Sequence, residues 1–113
     1  MATKSIIKLL LVLAHADQSF HSNEKIFLNN IIKEKNFPID EYKQILSEVI
    51  NSNKTYKSQC LEILSEINGE KDRKYALKLF TQLVAADYIL HEDEMLLLQL
   101  IADKWGMYKE SLA

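Results

Sequence analysis

Only two glycines and one proline occur in 113 residues. A sheet protein of this size must turn its chain many times, and tight turns draw on glycine and proline. Their scarcity excludes a strand-rich fold and favours long helices joined by few corners. The single cysteine, Cys60, excludes a disulfide framework and a cysteine-based zinc cluster. With glycine only at positions 69 and 106 there is no Gly-rich phosphate loop, and neither HExxH nor Cys-x-x-Cys is present. No catalytic machinery is legible, so the chain is expected not to be an enzyme. Fourteen basic residues against 16 acidic ones give a net charge of −2, without the basic face that nucleic acid demands. Lys54/Lys57 and Lys71/Arg73/Lys74 are small basic clusters of the kind that a solvated helix face carries. No segment reaches the ~20 apolar residues of a membrane span.

What the chain does contain is ordinary globular composition, 48% hydrophobic and 27% charged, in a length suited to a single domain over 1–113. Helical periodicity runs almost throughout. A first helix is predicted over Thr3 to Ala16, apolar nearly all round as a central core helix is. A turn from Asp17 to His21 leads into a second helix ending near Asn36. Pro38 holds Phe37 in extended geometry and makes a corner. A third helix is predicted over Asp40 to Asn51, with Tyr42, Ile45, Leu46, Val49 and Ile50 inward. A fourth, Thr55 to Ile67, buries Cys60, Leu61 and Leu64 and is stopped by Asn68-Gly69. The fifth covers Asp72 to Ala86 and the sixth Glu92 to Trp105, with Gly106 ending it and a short helical turn after it. Met95, Leu96, Leu97, Leu98, Leu100 and Ile101 cover most of the sixth helix, which predicts central burial, the alternative being an exposed partner-binding patch. Trp105 and Met107 are expected to close the open end of the core, Cys60 to be a core thiol and His15 a packing or capping residue.

The N-terminal segment imitates a signal peptide, with Lys4 and Lys8, the run Leu9 to Leu13, and Ala14-His15-Ala16 as an A-x-A site. Lys8 interrupts the apolar stretch, and a related segment recurs internally at Lys78–Asp87. Residues 6 to 13 are therefore expected to belong to the core, and the protein to be cytoplasmic.

That recurrence extends much further. Displaced by 70 positions, Lys8, Leu9, Leu13, Ala16, Asp17, His21, Glu24, Leu28 and Ile31 fall on Lys78, Leu79, Leu83, Ala86, Asp87, His91, Glu94, Leu98 and Ile101. Helical periodicity alone aligns hydrophobic positions, but Asp, His and Glu recurring in register across a turn require more. The fold predicted is all-α, a single compact bundle of about six to seven helices. Two pseudo-symmetric helical hairpins are bridged in it by two further helices.

Each hairpin corner reads Ala-Asp-x-x-Φ-His-x-x-Glu, at Ala16–Glu24 and again at Ala86–Glu94. The aspartate ends one helix and the glutamate stands in the first turn of the next, so the turn brings two carboxylates together. His21 and His91 occupy the N-cap position. Two readings follow. In one the motif only shapes the corner: the glutamate complements the helix dipole, the aspartate bonds free N–H groups of the turn, and Leu90 staples to Met95. In the other the corner binds a divalent metal, Ca²⁺, Mg²⁺ or Mn²⁺, through Asp17, Glu24, Asp87, Glu94 and the histidines His21 and His91. The Asp-to-Glu spacing equals that between the fifth and twelfth positions of an EF-hand loop. The first and third positions would however be Leu13 and His15, or Leu83 and Ala85, and the obligatory glycine is Gln18 or Tyr88.

At these residues the chain resembles the tellurite-resistance TerB-like family, which includes the cytoplasmic N-terminal domain of DjlA-type co-chaperones. The family's hallmark is a twice-occurring Ala-Asp-Gly-x-Φ-x-x-x-Glu at helix junctions. The resemblance covers nearly the whole chain and implies an all-helical fold. It places Asp17, Glu24, Asp87 and Glu94 at the family's acidic positions, for which metal binding has been proposed. Gln18 and Tyr88 replace the usual glycine, at about 1 kcal/mol each if the position needs a positive φ. The resemblance also implies a stress-response or signalling context, a protein partner, and association with a membrane complex through that partner. The alternative to metal binding is a metal-free, co-chaperone-like protein interaction module.

Overall fold

The apolar run that begins at Ile6 forms the centre of the molecule. The computed structural model describes residues 3–16, 22–85 and 92–106. Among them are six helices: α1 (Thr3–His15), α2 (Ser22–Glu34), α3 (Ile39–Asn51), α4 (Tyr56–Leu64), α5 (Glu70–Ala85) and α6 (Glu92–Trp105). No strand occurs among the described residues. The radius of gyration is 12.9 Å, close to the ~13 Å of a compact 100-residue body.

Ile6, Ile7 and every residue from Leu9 to Ala14 are at most 2% exposed. A helix apolar on all sides has to be surrounded, and α1 packs against α3, α4, α5 and α6. Lys8 is its one charged residue within the buried stretch. It is half-buried and opens into a polar cavity of about 540 Å³ shared with Glu48, Gln59 and Glu62. The second buried element is α5, with Ala76, Leu77, Leu79, Phe80 and Leu83 in the core.

The repeat is written into the helix ends. α1 ends at His15 and α5 at Ala85; α2 begins at Ser22 and α6 at Glu92. Each of these pairs is separated by the displacement of 70 found in the sequence. The positive-φ residues among those described are Asn36 (φ 51°) and Gly106 (φ 66°), again the same distance apart. Both stop a helix. Asn36 N–H donates to the Lys33 carbonyl (3.1 Å) and Phe37 N–H to Ile32 (3.0 Å), a complete Schellman cap. Gly106 N–H donates to Asp103 (3.4 Å), the bond corresponding to that of Asn36. α1 and α5 meet, α2 lies on α5, and α6 lies on α1, α4 and α5.

Three features depart from the sequence reading. Ile50 is 52% exposed, since the buried stripe of α3 is Tyr42, Ile45 and Val49. Leu46 of α3 and Leu61 of α4 are partly buried, and Ile63 of α4 takes a core place instead. α4 ends at Leu64, and Gly69 does not stop it. Glu66 N–H donates to Ile63 and Ile67 N–H to Leu64, tightening the chain into a turn. Two side chains from further along the chain also bond this turn, Trp105 Nε1–H to the Leu64 carbonyl (3.4 Å) and Arg73 Nε–H to the Ile67 carbonyl (2.8 Å). The Gly69 carbonyl accepts from Arg73 N–H and so opens α5.

The third departure concerns α6. Leu97, Ile101, Ala102 and Trp105 are buried, while Met95 is 46% and Leu96 55% exposed. The helix is an outer arm rather than a central one, because the central place is already filled by α1 and α5. Trp105 closes the core as expected, with Arg73 stacked 5.5 Å from its ring centroid. Met107 and the helical turn expected after Gly106 lie outside the described residues.

Candidate acidic corner site

Helix α2 starts one residue after His21 and helix α6 one residue after His91. This makes Glu24 and Glu94 the third residue of their helices, the position from which a glutamate reaches the unpaired N–H groups of the first turn. The helix dipole favours a carboxylate there. The two glutamates thus stand at equivalent places, one per hairpin. Both readings of the motif require this.

Glu24 departs from the ordinary first-turn glutamate in being 1% exposed. Lys, Glu, Arg and Asp are almost never fully buried unless partnered. Taking an ionised carboxylate out of water costs several kcal/mol even after the protein relaxes. Such a group persists only where hydrogen bonds or a positive charge offset that cost. Leu28 and Ile31, one and two turns further along α2, are core residues, so the face that carries Glu24 turns inward. The buried face of α2 runs Glu24, Leu28, Ile31 and Ile32, a helical stripe whose first member is a glutamate.

Of the other predicted site residues, Asp17, His21, Asp87 and His91 lie outside the described residues, as do the departures Gln18 and Tyr88 and the staple residue Leu90. Glu94 contributes described backbone to α6, but its side chain lies outside the description. Among the described residues, no three His, Cys, Asp or Glu side chains are grouped as a metal site would group them. The donor types of the motif nonetheless fit a hard cation, which prefers carboxylate and carbonyl oxygen. Any complete ligand set would draw on Asp17 and the corner backbone as well as Glu24.

Comparison with protein-family models, curated proteins and solved structures finds no match to this chain. The chemistry of the corner is therefore its own guide.

The remaining polar residues divide clearly. His15 Nδ1–H donates to the Leu11 carbonyl at 2.8 Å, so this ring caps its own helix. Cys60 is fully buried, and burial pushes its thiol up to about 12. A thiol so placed is a poor nucleophile and behaves as a small apolar residue. The lysines of the basic clusters are exposed, Lys54 pairing with Glu62 and Lys74 with Glu70 (3.3 Å), whereas Arg73 is part-buried on Trp105. Sequence reasoning missed Gln59. It is 6% exposed, and its Nε2 donates to the Lys54 (3.3 Å) and Val49 (3.5 Å) carbonyls, tying the end of α3 to the start of α4. The signal was available: Gln59 lies four residues before Ile63, on the buried stripe of α4.

Among the described residues, no helix is long and apolar enough to cross a membrane.

Proposed function

We propose that this chain is a non-enzymatic, TerB-like helical domain that takes up a divalent cation at its two acidic corners, in a stress-response or signalling setting. Glu24 is the observation that carries the reading. A carboxylate 1% exposed, in the first turn of α2, stands in a motif repeated in register at α6. Asp17 and Glu24 would hold the ion at one corner and Asp87 and Glu94 at the other, with His21 and His91 beside them. When bound, the ion would supply the positive charge that offsets two carboxylates drawn together. The chain's own part is to fix the glutamates at a rigid helix start, aided by the core contacts of Leu28 and Ile31. Two carboxylates per corner fall short of the six to eight oxygens of a tight calcium site, so affinity is modest, with backbone carbonyls and water completing the shell. The protein acts in the cytoplasm through a protein partner, which associates it with a membrane complex.

A second reading is favoured by one observation, the exposure of Met95 and Leu96 on α6. In it the corners are purely structural and the domain is a metal-free interaction module. Calorimetric titration of chelator-treated protein with Ca²⁺, Mg²⁺ and Mn²⁺ separates the two. Saturable heat with a stoichiometry of one or two ions supports the metal reading, and no heat through millimolar concentrations leaves the interaction module.

A further inference from the structure

We draw no further inference here: the strongest candidate, the apolar groove of about 430 Å³ between α4 and α6 lined by Tyr56, Leu96, Leu97 and Leu100, is an unpartnered face, and nothing in the structure shows what covers it.

Discussion

Cys60 and Glu24 are both removed from water, and for the thiol the consequence is direct. The buried thiol stays neutral over the whole ordinary pH range, because burial raises it from 9.0 to about 12. An acid whose folded value is raised contributes its full stability below the unfolded value. Between about pH 9 and pH 12 the unfolded chain ionises while the folded chain does not, so stability falls there by up to about 1.4 kcal/mol per pH unit. At pH 8 a thiol reagent should label Cys60 only as fast as the protein opens, and denaturant should accelerate labelling in step with unfolding. Rapid labelling of the native protein would contradict the burial assigned to this residue. Cys60→Ser should destabilise by about 1–3 kcal/mol, since it places a hydroxyl in an apolar site, as urea denaturation would measure. Phe80→Ala, at a fully buried position of α5, should cost about 3–5 kcal/mol. Ile50→Ala, on the uncovered side of α3, should stay within about 0.5 kcal/mol. Equal losses at the two positions would undo the assignment of inner and outer faces.

Helix ends show where sequence patterns speak and where they fall silent. The six helices were legible from periodicity because nearly every break carries a local cause: Pro38 after Phe37, Thr55 capping α4 through Ser58 N–H at 3.1 Å, and Gly106 in the left-handed region. Glu24 and Glu94 were placed correctly in first turns because the repeat registers both copies. The end of α4 was misread because the turn after it is held in part by Trp105, whose indole N–H bonds the Leu64 carbonyl from 41 residues away. No local signal announces such a partner. The burial of Glu24 was equally hidden, since a glutamate in a first turn is ordinarily solvated, and only the packing of α2 decides which way its face turns. The extent of α6 exposure was illegible because a leucine-rich helix reads alike at the centre of a bundle and at its edge. The two glycines supply a direct test of these ends. Gly106→Ala should cost about 1 kcal/mol from the positive φ alone, as nothing within 4 Å would meet the added methyl. Gly69→Ala should be tolerated within about 0.5 kcal/mol, because its φ is not positive and the nearest contact, Asp72 Oδ2, lies at an ordinary 3.7 Å. Thermal melts in which Gly69→Ala is the more damaging change would return the helix-stopping role to Gly69.

For the molecule as a whole, the duplicated hairpin sets the architecture. α1 and α5 form the centre, α2 lies on α5, α6 lies on α1, α4 and α5, and α3 and α4, which follow the first copy in the chain, pack on α1. Lys35 of the loop after α2 sits 4.7 Å over the Tyr75 ring, and hydrogen bonding to Tyr75 raises it above the ordinary lysine value. This contact joins the end of one hairpin to the start of the other. The central claim is that both acidic corners, the one before α2 and the one before α6, receive a cation. The most direct test compares melting temperatures of wild-type protein and the Glu24→Gln/Glu94→Gln double variant across millimolar Ca²⁺, Mg²⁺ and Mn²⁺, after chelator treatment. Glutamine keeps the shape and hydrogen-bonding reach of glutamate and removes the charge that a hard cation needs. Because Glu24 is buried, the variant is expected to be less stable even without ions, by about 1–3 kcal/mol, so the ion-dependent rise within each protein is what counts. The wild type should gain stability as RT ln(1 + [L]/Kd), and the double variant should show no rise. A wild-type melting temperature that stays flat across all three ions would contradict the account.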